Sequence, residues 1–349
     1  MTSAATTLLR VARGDLRADF VECEDPSFRQ LLRRASNTFN RVIERSVVRG
    51  AVRAYESGDA DRFAACLARG RKMYTRINAP GSLQMASSLA GMKIWTDAHT
   101  RTALLHDEAF EPGATLVYVH GGSFIADRSP RLTALIARIA RAAQLNAVMV
   151  DYRLAPEHPC PAAVDDVVLA IRQLINRGQR AARIGLVAES AGAAIALAAA
   201  MKLRDAGLHM GALCFLSPWT DLALTGRSAA ARSVTGDSPI SMESMAICAH
   251  LYLQGMSALD PVASPVFGDL RNLPPILIHT SKTDALHDDA RLLSQRAHEA
   301  GSDVTLRIWS HGSHVFERFF DKQGNRAISE AGAFLRAHLG SIDKARHTG

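Results

Sequence analysis

The sequence predicts an α/β fold, in which an eight-stranded, mostly parallel sheet carries helices on both faces. From residue 92 onward, short apolar segments typical of buried strands alternate with longer helical segments. Such alternation favours parallel pairing, because each helix returns the chain across the sheet. The chain has 349 residues, of which 48% are hydrophobic, so it can form a large core.

The predicted strands and helices leave one gap in this alternation. We predict strands near 92–97, 103–107, 115–119, 146–150, 184–187, 213–216, 276–280 and 304–309, and helices near 130–143, 162–177, 191–206, 287–300 and 326–338. Residues 222–262 contain a helix near 242–253 but no strand. An insertion there would lie above the carboxyl ends of the strands, where open α/β sheets bind ligands.

The first 80 residues have a different, helical pattern. We predict one long helix over 27–57 and a shorter one over 59–76, and we separate the N-terminal region 1–80 from an α/β domain at 81–349. Along the long helix, arginines recur at multiples of four beside an apolar stripe (Arg29, Arg33, Arg41, Arg45, Arg49 and Arg53). We interpret them as a solvated face, with a docking face for an acidic surface or anionic lipid as the alternative.

Composition excludes several classes of function. The net charge of +7 is concentrated in residues 29–53, and no basic patch interleaved with aromatic residues indicates nucleic-acid binding. No apolar segment is long enough to span a bilayer, which argues against stable membrane insertion. Residues 1–20 lack the apolar segment of a signal peptide, so we expect a cytoplasmic protein. Five scattered cysteines without metal spacing predict free thiols and no metal site.

Ser190 lies among small residues, between the predicted strand 184–187 and an Ala- and Leu-rich helix at 191–206. This arrangement is typical of a nucleophile elbow, in which a sharp turn exposes the hydroxyl and small neighbours let strand and helix nearly touch. The usual pattern is G-x-S-x-G, and Ala188 replaces the first glycine. An ordinary helix start is the alternative, so the interpretation depends on partners elsewhere in the chain.

An acidic partner follows a later strand. Asp284 lies four residues beyond the predicted strand 276–280, at the carboxyl edge of the sheet. Asp288 and Asp289 lie in the next helix, and we interpret them as first-turn charges that interact favourably with the helix dipole. We therefore select Asp284.

A histidine partner follows the last strand. His311 is the first histidine beyond 304–309 and precedes a glycine, so we select it, with His314 as the fallback. Its imidazole would have to contact both the serine and the acid to take and return a proton. The chain order Ser190, Asp284, His311 is that of α/β-hydrolases and differs from the two other well-known serine triads.

A glycine turn upstream supplies candidate oxyanion donors. Gly121, Gly122 and Ser123 follow the predicted strand 115–119. Consecutive N–H groups there, together with that of Ala191, can hold the oxyanion of an acyl-transfer intermediate. A plain glycine turn is the alternative.

The sequence also resembles the microbial branch of the hormone-sensitive lipase family, the α/β-hydrolase fold-3 esterases. The resemblance extends over about residues 80 to 338, and the Y-R-L-A-P-E-H-P segment is its most specific motif. The matching segments are H-G-G-S-F at 120–124, Y-R-L-A-P-E-H-P at 152–159, A-E-S-A-G at 188–192, S-P-W-T-D-L at 217–222 and D-P-V-A-S-P at 260–265. Ser123 and Ala188 stand where the family has glycine.

The resemblance implies an α/β-hydrolase fold with an α-helical cap built from the N-terminal region and the insertion at 222–262. It implies a catalytic triad of Ser190, Asp284 and His311. It also implies an oxyanion hole formed by the N–H groups of Gly122, Ser123 and Ala191, with Gly121 supporting the turn.

We therefore predict a serine carboxylic-ester hydrolase that needs no cofactor and no metal. A roofed pocket lined by Phe124, Trp219 and Tyr252 would favour short-to-medium acyl esters as small-molecule substrates. A lactonase, amidase or deacetylase with the same triad is one alternative, and a non-catalytic ligand-binding homologue, like the plant gibberellin receptors, is another. The sequence leaves open whether the protein forms a homo-oligomer.

Overall fold

A computed structural model describes residues 17–21, 50, 53–54, 57–77, 79, 81–110, 113–235 and 240–340. Its strands are β1 (Arg17–Val21), β2 (Lys93–Asp97), β3 (Thr102–His106), β4 (Thr115–Val119), β5 (Asn146–Val150), β6 (Ile184–Glu189), β7 (Ala212–Leu216), β8 (Ile276–Ser281) and β9 (Val304–Trp309). They form one sheet in the order β1-β9-β8-β7-β6-β4-β5-β3-β2. All pairs are parallel except β2 with β3 and β3 with β5.

The main helices are α1 (Ala60–Ile77), α2 (Ser82–Leu89), α3 (Pro130–Ala143), α4 (Ala162–Asn176), α5 (Gly192–Asp205), α6 (Arg227–Thr235), α7 (Met242–Leu253), α8 (His287–Glu299) and α9 (Lys322–Leu339). Short 3₁₀ helices lie at Ala181–Arg183, Pro265–Phe267 and Phe316–Arg318. The predicted fold class is confirmed, and all eight predicted strands are present.

Apolar side chains build a core on each face of the sheet. The central strands β4, β6, β7 and β8 are buried along their whole length, because parallel strands carry helices on both sides. On β4, Leu116 and Tyr118 face the core shared with α3 and α9, whereas Val117 and Val119 face the core shared with α4 and α5. The carboxyl edge of the sheet, where the predicted site residues lie, is therefore held by fully buried strands.

The ninth strand, β1, lies in the region that the sequence predicts to be helical. It pairs in parallel with β9, with Arg17 opposite Thr305 and Val21 opposite Trp309. Residues 17–21 thus belong to the same sheet as β2 to β9, and the division of the chain at residue 80 stays a prediction. Most of the predicted helix 27–57 lies outside the described residues, as do Arg29, Arg33, Arg41, Arg45, Arg49 and Cys23.

Three helices, α1, α6 and α7, contact loops at the carboxyl edge of the sheet, and we call them the cap helices. From α1, Arg71 donates to the carbonyl oxygens of Ile125 (2.6 Å) and Ala155 (3.0 Å) and forms an ion pair of 2.7 Å with Glu157. From α7, the carbonyl oxygen of Tyr252 accepts the N–H of Cys160 at 2.9 Å. A cavity of about 560 Å³ lies between the start of α1 and the end of α7.

Two further predictions concern membranes and cysteines. Among the described helices, none combines the length and the apolar character that a bilayer span requires. The four described cysteines are buried and none of them forms a disulfide: Cys66, Cys160, Cys214 and Cys248.

Candidate active site

Ser190 lies at the sharp turn between β6 and α5 and has a φ of +53°, in the left-handed region. The turn brings α5 so close to the end of β4 that a Cβ on Gly192 would lie 2.2 Å from the carbonyl oxygen of Val119. Only glycine is compatible with that approach. Ala188, which replaces the usual glycine, is fully buried at 0% exposure, so its methyl group is accommodated in the core. The local structure is that of a nucleophile elbow.

A histidine joins this serine to a buried carboxylate. His314 Nε2 lies 2.9 Å from Ser190 Oγ, and His314 Nδ1 lies 3.1 Å from Asp284 Oδ1. Asp284 is completely buried, and its Oδ1 also accepts the N–H of Leu286 at 3.0 Å. The three side chains follow β6, β8 and β9, so they meet at one edge of the parallel sheet. An arrangement of this kind can take a proton from a serine and return it to a leaving group.

The structure contradicts the selection of His311 and brings the fallback residue, His314, to the serine. His311 is exposed. After β9 the chain turns at Gly312, whose carbonyl oxygen accepts the hydroxyls of Ser281 (2.6 Å) and Thr283 (2.7 Å). These bonds to the loop after β8 direct residue 311 away from the site and return residue 314 to it.

The carboxylate beside His314 is held in its ionised form. Burial by itself would raise the pKa of Asp284, but the neighbouring His314, the N–H of Leu286 and the hydroxyl of Ser217 together lower this pKa below its usual value. Because hydrogen bonds and an opposite charge favour the anion, Asp284 can stabilise an imidazolium at His314.

The loop after β4 carries three consecutive residues with positive φ: Gly122 at +118°, Ser123 at +54° and Phe124 at +66°. A Cβ on Gly122 would lie 2.7 Å from the carbonyl oxygen of Ala126, so this position requires glycine. Within the described part of the chain, the N–H groups of Gly122, Ser123 and Ala191 have no acceptor. Ser123, although not a glycine, adopts the left-handed conformation and keeps its N–H available.

The N–H of Gly121 has a different role, because it donates to the Glu189 carboxylate. A Cβ on Gly121 would lie 2.5 Å from Glu189 Oε2, so glycine lets the carboxylate lie against the loop. Glu189 is 2% exposed, and burial raises its pKa. Gly121 therefore supports the loop and is not a free donor. Sequence analysis missed Glu189, because its partner lies 68 residues away.

His120 anchors the other side of this loop. Its ring stacks on Tyr152 at a centroid distance of 4.3 Å, and the Tyr152 hydroxyl donates to the His120 carbonyl oxygen at 2.7 Å. Burial lowers the pKa of His120 to about 4, so the ring is neutral at neutral pH. His120 Nδ1 lies 2.6 Å from the carbonyl oxygen of Gly121 and fixes the turn.

This arrangement of elbow, histidine, acid and glycine loop can be compared with known proteins. A family model described as alpha/beta hydrolase fold matches residues 116–318, which is more than half of the chain. The chain belongs to the α/β-hydrolase family.

Individual relatives of this α/β-hydrolase are esterases. An acetyl-hydrolase from Streptomyces hygroscopicus is 41% identical over 236 residues, which are 66% of this chain and 78% of that protein. An esterase from Acinetobacter venetianus is 31% identical over 206 residues, 58% of this chain and 68% of that protein. The crystal structure of an esterase from the bacterial hormone-sensitive lipase family has a TM-score of 0.73 at 29% identity and covers 90% of this chain and 100% of its own. The predicted resemblance to that family of esterases is confirmed.

Three aromatic side chains of the α/β-hydrolase meet beside the glycine loop. Phe124 stacks on Tyr252 of α7 at a centroid distance of 4.1 Å and lies 5.2 Å from the Trp219 ring. Each of the three is 1% exposed. The sequence predicts these residues as a pocket lining, and the structure brings them together as one apolar cluster between the sheet edge and the cap.

Two neighbouring acids at the start of α8 accept hydrogen bonds from the loop after β7 and from the start of α6. Asp289 accepts the N–H (2.9 Å) and hydroxyl (2.7 Å) of Thr220, in the loop after β7. Asp288 accepts the N–H groups of Arg227 and Ser228, at the start of the cap helix α6, each at 2.9 Å. Their positions in the first turn are as predicted, but their partners come from distant segments that sequence analysis could not assign.

Proposed function

We propose that this α/β-hydrolase hydrolyses carboxylic esters with short-to-medium acyl chains through an acyl-enzyme intermediate on Ser190. The observation that carries the proposal is the continuous hydrogen-bonded series from Ser190 Oγ through His314 to Asp284, with separations of 2.9 and 3.1 Å. Such a series activates a hydroxyl that is a weak nucleophile on its own.

In the first half of the reaction, Ser190 Oγ attacks the ester carbonyl carbon while His314 Nε2 takes the hydroxyl proton. The carbonyl oxygen becomes an oxyanion, and the N–H groups of Gly122, Ser123 and Ala191 stabilise its charge. The intermediate then collapses, and His314 gives the proton to the departing alcohol oxygen.

In the second half, water attacks the acyl carbon and His314 takes its proton. The tetrahedral intermediate that follows releases the acid and returns the proton to Ser190. In both halves, Asp284 orients the imidazole through Nδ1 and stabilises the imidazolium that forms, without itself becoming protonated.

The preference for short-to-medium acyl chains rests on the cap and the aromatic cluster. We assign the N-terminal region before residue 80, apart from strand β1, together with residues 222–262, to a cap that roofs the space above Ser190, bounded by Phe124, Trp219 and Tyr252. Each methylene buried in such a pocket contributes about 0.8 kcal/mol until the pocket is full. The name of the acetyl-hydrolase from Streptomyces hygroscopicus is in line with a short acyl group.

Hydrolysis of p-nitrophenyl acetate by Ser190→Ala tests the mechanism. We expect kcat to fall by several orders of magnitude, with an unchanged far-ultraviolet circular dichroism spectrum and melting temperature. Ser302→Ala, which removes a buried hydroxyl bonded at 2.8 Å to the carbonyl oxygen of Leu270, is the matched control and should retain activity. Undiminished hydrolysis by Ser190→Ala would refute the proposal.

A parallel screen of esters, lactones and amides distinguishes ester hydrolysis from the other reactions that the same triad can perform. Turnover of a lactone or amide above that of every ester would reassign the substrate class. Binding without turnover would indicate a ligand-binding homologue. The cytoplasmic location and the oligomeric state stay predictions, which cell fractionation and light scattering would test.

A further inference from the structure

The end of β7 and the loop after it bind both the N–H and the carbonyl group of the nucleophile, Ser190. The N–H of Ser190 donates to the carbonyl oxygen of Leu216 at 3.1 Å, and the N–H of Trp219 donates to the carbonyl oxygen of Ser190 at 3.0 Å. Ser217 lies between these two contacts and is fully buried. This loop therefore fixes the main chain of the nucleophile before any substrate binds.

The hydroxyl of Ser217 contacts Asp284 and the segment that carries His314. It donates to Asp284 Oδ2 and accepts the N–H of Val315, the residue after His314, at 3.0 Å. Among the described residues, no other group donates to Asp284 Oδ2. A single side-chain oxygen thus contacts both the acid and the segment that carries the imidazole.

The backbone holds this hydroxyl in place. Ser217 has a φ of +48°, and its N–H donates to the carbonyl oxygen of His279 on β8 at 2.7 Å. A left-handed conformation in a residue other than glycine is strained and persists where the surroundings determine it. The main chain of Ser217 is therefore fixed to β8, in a conformation that places its hydroxyl beside Asp284.

We propose that Ser217 is a positioning residue for ester hydrolysis. Its hydroxyl keeps the Asp284 carboxylate and the main chain beside His314 at fixed positions relative to each other. It thereby keeps His314 Nε2 within reach of Ser190 Oγ. Ser217 has no direct contact with Ser190 Oγ or with the three free N–H groups of the glycine loop and elbow. This inference rests on the proposed function.

The main experiment compares Ser217→Ala with Ser217→Gly in the hydrolysis of p-nitrophenyl acetate. Both substitutions remove the hydroxyl, but only glycine also relieves the positive φ. We expect both variants to lose kcat by a similar factor of roughly 10 to 100, the cost of a small misplacement in a catalytic group, with KM changed less than twofold or so. Their melting temperatures should differ, with the alanine variant the less stable.

Ser302→Ala serves again as the matched control, because it removes a buried hydroxyl whose partner, Leu270, lies outside the series. It should lower the melting temperature and leave kcat unchanged. A second readout is the rate at which phenylmethylsulfonyl fluoride inactivates Ser190, since this reagent needs the activated serine but little substrate binding. The rate should fall in parallel with kcat in both Ser217 variants.

A third readout is the low-field proton resonance of the imidazole Nδ1–H bound to Asp284, which should shift or broaden in the Ser217 variants. If the alanine variant does not fold, the glycine variant carries the same test. Wild-type kcat in either folded variant, or a kcat loss in Ser302→Ala equal to theirs, would overturn the inference. Activity in Ser190→Ala would instead overturn the proposed function, so the two failures are distinguishable.

Discussion

The two buried acids of the site, Asp284 and Glu189, each accept hydrogen bonds from specific donors. Asp284 and Glu189 are both almost completely buried, yet their carboxylates accept hydrogen bonds from different segments. Their pKa values move in opposite directions: donors and His314 lower that of Asp284, whereas burial raises that of Glu189. The acid with several donors is the one suited to stabilise a positive imidazole.

Substitution of the two histidines after β9 tests the placement of the base. We expect His314→Ala to reduce kcat for p-nitrophenyl acetate by roughly 10⁴- to 10⁶-fold, as in other serine triads. His311→Ala should stay close to wild type, because that side chain is exposed and contacts neither Ser190 nor Asp284. The opposite order of severity would show that the loop at Gly312 is placed wrongly.

Substitution of Gly122 tests the glycine loop. In Gly122→Ala, the new methyl group would lie 2.7 Å from the carbonyl oxygen of Ala126 at a φ of +118°. We expect the loop to shift and kcat to fall about 10²-fold or more, the cost of losing one oxyanion donor. The matched control is Gly178→Ala, at a φ of +93° with no atom within 4 Å of the new methyl group. It should lose stability only; equal kcat losses in both variants would point to general destabilisation.

The choice between His311 and His314 shows what sequence analysis could and could not establish at this scale. Local pattern is enough to predict that Ser190 lies at a strand–helix turn and that Asp284 follows a strand, which is where the structure has both residues. The two histidines share the segment H-G-S-H, and the choice between them depends on hydrogen bonds from Ser281 and Thr283 to Gly312. Contacts between distant segments leave no periodic signal in the sequence.

Among the elements, the start of α8 organises the edge of the site. Asp288 accepts a hydrogen bond from the first residue of α6, and Asp289 accepts one from the loop after β7. Asp284 lies just before α8. One helix terminus thus connects the acid loop, the cap and the loop that contacts the nucleophile. The site should therefore respond to changes at this terminus as a unit.

The pH dependence of stability tests the role of Asp289. Burial raises its pKa from 3.8 to about 7 against the hydrogen bonds from Thr220. The folded protein then binds this proton more tightly than the unfolded chain does. The contribution of Asp289 to the unfolding free energy is therefore complete below pH 3.8 and is lost as the pH rises through about 7.

We expect the wild-type melting temperature to fall between about pH 4 and 7 more steeply than that of Asp289→Asn, which stays neutral throughout. The measurement is a series of thermal melts at constant ionic strength. Asp205→Asn, which removes an exposed carboxylate at the end of α5, is the control and should follow the wild-type slope. Parallel curves for wild type and Asp289→Asn would refute the assigned proton.

Strand β1 is the element that sequence analysis missed. Its five residues, R-A-D-F-V, contain two charges and no continuous apolar run. Its partner β9 begins at Val304, so no neighbouring segment signals the pairing. The eight predicted strands, by contrast, carry apolar runs bounded by helices, which is the signal that a buried parallel sheet produces.

For the whole molecule, the contacts between cap and sheet edge connect substrate size to structure. Arg71 of α1 bonds to Ile125 beside the glycine loop and to Ala155 and Glu157 beyond β5. These contacts hold one wall of the proposed roof. Loss of the arginine should enlarge the space that is open to the acyl chain.

A series of p-nitrophenyl esters from acetate to palmitate tests this connection. In the wild type, kcat/KM should be highest at short chains and collapse at palmitate, because methylenes beyond the filled pocket add no binding free energy. Arg71→Ala should shift the maximum to longer chains. Lys72→Ala, an exposed neighbour on α1, is the control and should keep the wild-type profile. A wild-type maximum at the longest chains would contradict a roofed pocket.

The position of β9 between β8 and β1 has a consequence for synthesis in the cell. Ser190 and His314 are 124 residues apart, and a ribosome adds this length in about 6 to 25 s. During that interval the nucleophile is already translated but has no base, and β1 has no strand to pair with. We therefore expect the nascent chain to hydrolyse no ester until β9 has paired within the sheet, so that the onset of hydrolysis would report the end of folding.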